Sequence, residues 1–125
     1  MPFPYQMDVS VTSEFLPEKS DIASRRWVFA YHITIANHGE KSCRLLTRHW
    51  VITDGEERVH EVHGEGVIGQ QPHIPPGKSF SYSSGAVLKT AVGSMYGSYQ
   101  MLADDGTEFE APIPTFTLSI PRTLH

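Results

Sequence analysis

The sequence predicts an all-β domain: an antiparallel β-sandwich of about seven strands, of the immunoglobulin-like or fibronectin type III-like kind. Three observations predict it. Apolar residues recur with a period of two, turn-forming clusters of Gly, Asn, Asp and Pro interrupt the chain at short intervals, and no stretch of useful length sustains helical spacing. The 125 residues suit one domain with one core. With no internal repeat or linker, residues 1–125 are read as a single unit.

The first strand is predicted over 5–12, where odd positions (Tyr5, Met7, Val9, Val11) are apolar and even ones polar. Residues 26–36 are aromatic and β-branched, with Trp27, Phe29, Tyr31, Ile33 and Ile35 on one side. The opposite side is also fairly apolar, which predicts a central position in its sheet. Asn37-His38-Gly39 makes a turn. A third strand covers 43–53, and Asp54-Gly55 connects it tightly to a fourth at 59–63. Residues 78–83, with Phe80 and Tyr82 alternating, form the fifth, and 94–102 the sixth. Asp104-Asp105-Gly106 signals a hairpin into 108–118. Pro112 and Pro114 cannot donate to a ladder, so this last strand belongs at an edge or carries a bulge.

The formal net charge of −4 argues against nucleic acid or anionic membrane as a partner, since both call for a basic surplus. Cys43 is the only cysteine, which rules out an internal disulfide and a thiolate cluster and fits a reducing compartment. MPFPYQMDVS has neither a basic nor an apolar leader region, and no apolar run reaches membrane-spanning length. The expectation is a cytoplasmic domain, monomeric or homodimeric, without a cofactor.

Residues 62–80, VHGEGVIGQQPHIPPGKSF, carry Gly64, Gly66 and Gly69 in the spacing G-x-G-x-x-G. A dinucleotide fingerprint needs a helix after these glycines, and Pro72, Pro75 and Pro76 forbid one. The acid expected about 20 residues further on is missing too. The phosphate-loop ending Gly77-Lys78-Ser79 lacks its first glycine, because position 72 is proline. The glycines are therefore read as allowing a strand to end, bulge or turn. An anion-holding nest of N–H groups is the alternative.

In an extended segment Glu61, His63 and Glu65 share one face and His60 takes the other. The three are read as a plain solvated face and no metal ligand is assigned, a weak divalent-cation set being the alternative. No convergent acid, base and nucleophile stand at useful spacing, so the expectation is that the protein is not an enzyme. Cys43 reads as a half-buried structural thiol. Two features point to a binding surface. Residues 66–103 contain no carboxylate and are rich in Ser, Gly and Tyr. Arg44, Leu46, Arg48, Trp50 and Ile52 alternate onto one face of the third strand, where arginine beside tryptophan suits either an interface or arginine stems lying on a buried ring.

The stretches FAYHITIANHG, LLTRHWVITD, VHGEGVIGQQPHIPPGKSFSYSSG, GSMYGSYQM and FEAPIPTFTLSIP, in this order over nearly the whole chain, resemble the bacterial ApaG family. The resemblance implies a fibronectin type III-like sandwich and no established enzymatic activity. It implies a link to cobalt resistance and magnesium efflux, and a gene that often neighbours one for a diadenosine tetraphosphate hydrolase. Related domains in eukaryotic F-box proteins and in a DNA polymerase delta-interacting protein imply protein binding. A pyrophosphate role proposed for the family's glycine motif would fall on Gly64, Gly66 and Gly69.

The leading expectation is thus a domain that binds a protein partner around the third strand and the 63–77 loop, with Arg48, Trp50 and His63 as contacts. The alternative is a sensor that binds a pyrophosphate-containing nucleotide or a divalent cation at the same loop.

Overall fold

A computed structural model of the chain describes residues 4–121. Eight strands follow one another: β1 (Met7–Phe15), β2 (Trp27–Asn37), β3 (Cys43–Asp54), β4 (Val59–Glu65), β5 (His73–Ile74), β6 (Ser79–Leu88), β7 (Val92–Ala103) and β8 (Glu108–Ser119). They form two antiparallel sheets, one ordered β1-β2-β6 and the other β4-β3-β7-β8, with β5 also paired to β3. Two short 3-10 turns, Pro17–Lys19 and Ile22–Ser24, link β1 to β2. Among the described residues, no helix is long and apolar enough to cross a membrane.

The period-two pattern is met most fully in β2. This strand is central in its sheet, and Phe29, Tyr31, Ile33 and Ile35 turn inward and are buried. Opposite them, Trp50 is 3% exposed and lies against Tyr31, Phe116 and Tyr99 with ring centroids 5.4, 5.9 and 6.5 Å away. Edge-on aromatic packing of this kind adds about 1 kcal/mol per pair beyond area burial. The prolines of β8 meet both expectations: β8 is an edge strand, and its register shifts where Pro114 and Thr115 oppose only Tyr96. The short β5, two residues between prolines, carries no periodic signal and is absent from the sequence prediction.

The facing predicted for β3 fails, and the reason is local. β3 carries a bulge at Leu46, between the pairs Leu45↔Met101 and Thr47↔Gln100. An extra residue reverses the alternation. Cys43 and Leu45 point into the core before the bulge; Arg48, Trp50 and Ile52 point inward after it, while Arg44 is exposed. The five residues expected on one face are therefore divided. Cys43 is fully buried rather than half-buried, and burial pushes its thiol pKa up.

The two sheets meet differently on their two sides. On one, β1 and β8 are close enough for Ser13 Oγ to donate to the Thr117 carbonyl at 3.1 Å. On the other, β4 and β6 are both edges and do not pair. The sandwich is open there.

The β3–β4 turn is tied by Asp54, whose carboxylate accepts from the amides of Glu56 (2.9 Å) and Arg58 (3.0 Å) and from Arg58 Nε (2.7 Å). Burial acts to raise its pKa, but the bonds from Arg58 and Glu56 outweigh it and hold the carboxyl below its usual value. A carboxyl held low adds stability above its unfolded pKa, and that stability is lost as pH falls through the folded value. Asp54→Asn is expected to be less stable than the parent at neutral pH and to show a flatter acid limb. Urea denaturation in steps from about pH 6 to about pH 2.5 checks both.

Candidate binding site

The bulge at Leu46 is where the strand facing β3 breaks. β4 pairs with Thr47–Thr53 and β5 with Cys43 and Arg44, and residues 66–72 loop out between them. The Leu46 carbonyl accepts from the Gly66 amide (2.8 Å) and from Gln71 Nε2 (2.9 Å), and the Leu45 amide donates to the Pro72 carbonyl (3.0 Å). The break in pairing is thus satisfied locally.

Arg48, turned inward by the bulge, reaches across β4. Its Nη1 donates to the carbonyls of Glu65 (3.1 Å) and Gly66 (2.8 Å). The guanidinium passes over Gly64, where a Cβ would stand 2.6 Å from Nη1. Gly66 has φ +61, and a Cβ there would come within 2.2 Å of the Gln70 carbonyl oxygen. Beyond it Val67 and Gln70 exchange amide-to-carbonyl bonds of 2.8 and 2.9 Å around Ile68 and Gly69. Those two residues have φ 44 and 77, the left-handed pair of a tight hairpin. Glycine suits this at position 69. Isoleucine does not suit it at 68, yet Ile68 sits there with 55% of its surface exposed.

Each of the three glycines has a local structural role, Gly64 beside a side chain and Gly66 and Gly69 in the backbone turn. Gly64 clears Arg48, Gly66 starts the hairpin and Gly69 turns it. The Gly66 amide is spent on the Leu46 carbonyl of β3, and the amides of Val67 and Gln70 on each other's carbonyls.

Beneath the hairpin lies a cleft of about 310 Å³, lined by Tyr31, Arg48, Glu65, Val67, Ile68, Gly69, Tyr82 and Ser84. A second hollow of about 360 Å³ continues along the open side between Val62 of β4 and Val87 of β6. Tyr82 Oη lies 2.5 Å from Tyr99 Oη. Burial raises the pKa of Tyr31, Tyr82 and Tyr99, Tyr82 to about 12, with the Arg48 charge tempering each. These hydroxyls stay neutral at physiological pH. The cleft offers hydrogen bonds and one guanidinium, with Glu65 beside it.

The residues singled out from sequence do not form one surface. Arg48 rims the cleft with Gly64 beneath it, Gly66 is buried at the hairpin base and Gly69 is exposed at its tip. Trp50 lies in the core and presents no contact surface. His63 is exposed on the opposite face of the sheet, because β4 alternates. There it stacks on His49, ring centroids 4.1 Å apart and planes within 7°. With Glu61, their ligand atoms lie within 4.8 Å of one another; Glu65, expected in this set, is replaced by His49. Sequence reading missed His49, whose signal was its register with His63 across the Asp54-Gly55 turn. It also missed Tyr31, Tyr82 and Ser84, which a strand distant in sequence brings to the cleft.

These features define an all-β sandwich domain, joined along one side and open along the other, with a polar cleft under a glycine hairpin. The ApaG domain family matches residues 17–103, and the chain belongs to that family. It is 57% identical over 121 residues to Protein ApaG of Aromatoleum aromaticum, covering 97% of this chain and 95% of that one. Protein ApaG of Pseudomonas putida is 55% identical over 97% of this chain and 96% of its own. A Bordetella pertussis protein whose crystal structure carries the name ApaA is 48% identical, with a TM-score of 0.95 over 98% of this chain and all of that one.

Two substitutions separate the roles of the hairpin residues. Gly66→Ala forces a backbone carbonyl aside and is expected to cost about 1–3 kcal/mol. Ile68→Asn relieves a β-branched residue of its left-handed conformation and is expected to gain up to about 1 kcal/mol. Urea unfolding of both variants measures the difference.

Proposed function

We propose that the protein is a non-enzymatic binding module that receives an extended, acidic segment of a partner protein as an added strand along β6. The observation that carries this reading is the free edge of β6. Ten residues, Ser79–Leu88, pair with β2 on one side only and contain no charged residue. Exposed edges are templates for strand addition unless they are short, charged or covered. Several features support the occupant's chemistry. Lys78 and Lys89 flank the edge, residues 66–103 contain no carboxylate, and Arg48 stands at one end of the cleft. Val62 and Val87, 38% and 49% exposed, frame a hollow suited to one apolar side chain. Ile68 adds an exposed apolar tip held at a conformational cost, a feature common at functional sites.

The test is a screen of blocked hexapeptides in a positional-scanning library, read by amide hydrogen exchange. Selection of alternating acidic and apolar positions, with protection gained along Ser79–Leu88, is the expected result. Val87→Lys and Arg48→Met should each weaken binding about tenfold. Saturable shifts confined to residues 63–77 on adding ATP or diadenosine tetraphosphate would instead support a small-ligand sensor and overturn the proposal.

A further inference from the structure

On the sheet face opposite the cleft, His49, Glu61 and His63 converge from two strands. The register pairs His49 with His63 directly and Val51 with Glu61, so all three side chains rise from one face within neighbouring pairs. His49 Nε2 is buried and has no hydrogen-bond partner, the only such side-chain atom among the described residues. Its nearest carboxylate oxygen, on Glu61, lies 3.7 Å away, beyond hydrogen-bond range. A buried polar atom without a partner is costly and calls for an explanation, and an ion is one of the few available.

We propose that His49, Glu61 and His63 bind one divalent transition cation of the zinc class. Two imidazole nitrogens and one carboxylate oxygen are the donor set of open zinc sites, with water filling the fourth position. Magnesium prefers an all-oxygen shell and is not accommodated by two imidazoles. In a tetrahedral site with bonds of about 2.1 Å, ligand atoms stand about 3.4 Å apart. The three atoms here lie within 4.8 Å, so the widest pair must close by as much as about 1.4 Å, and the stacked His63 ring must turn so that both nitrogens face one ion. Glu61 and His63 are exposed and can turn to do so, while His49 is held on the inner strand of the pair. The site is separate from β6 and from strand addition.

Zn²⁺ titrated into the protein, followed by histidine-ring carbon–proton spectra and calorimetry, tests the assignment. One equivalent is expected to bind, moving the ring signals of His49 and His63, while Mg²⁺ moves neither. Glu61→Gln and His63→Ala change exposed side chains and leave the fold intact; each should weaken Zn²⁺ about tenfold or more. His60→Ala, on the opposite face of the same strand, should change nothing. Absence of a saturable response, or an affinity unmoved in both Glu61→Gln and His63→Ala, would overturn the proposal. So would equal sensitivity to His60→Ala.

Discussion

The bulge of β3 at Leu46 is the constraint on which both faces of the larger sheet depend, and beside it the guanidinium of Arg48 lies across Gly64 to hold the carbonyls of Glu65 and Gly66. The extra residue turns Arg48 and Trp50 inward and His49 outward. Without that reversal, the tryptophan would leave the core and the two histidines would not meet. The bulge also breaks the neighbouring strand, and the arginine ties the broken end back. Two hydrogen bonds from a charged donor, each worth about 1.5–3 kcal/mol, stabilise a point where sheet pairing has been lost.

The glycine spacing follows from the same geometry. A guanidinium crossing over a strand crowds the place where a Cβ would stand, and the strand must then turn back sharply beside the bulge. These needs fall on alternate and then third residues, which is how a hairpin comes to resemble a nucleotide-binding fingerprint. The spacing is shared but its physical cause is not. The amides of Gly66, Val67 and Gln70 are here committed to the carbonyls of Leu46, Gln70 and Val67.

Much of the fold was legible because alternation reports burial directly. Tyr31 and Ile33 in β2, and Pro112 and Pro114 in β8, state their positions in the sheet without help from the rest of the chain. The bulge was not legible. One inserted residue leaves each half of β3 alternating correctly, so Arg44 through Ile52 reads as one continuous face; the adjacent pair Leu45-Leu46 is its only trace. The cleft was harder still, since Tyr82 and Ser84 reach it through the pairing of β6 with β2, across about fifty intervening residues. Sequence reading also joined Arg48 and His63 into one surface, which strand alternation forbids.

The two faces are thus separate consequences of one irregularity: an open cleft under the arginine, and a histidine pair behind it. The claim that Gly64 is there for Arg48 can be tested by a double-mutant cycle. Arg48→Ala, Gly64→Ala and the double variant are compared by urea unfolding. The account predicts that Gly64→Ala is destabilising in the parent and nearly neutral once Arg48 is alanine, a coupling of about 1 kcal/mol or more. Equal costs of Gly64→Ala in both backgrounds would contradict it.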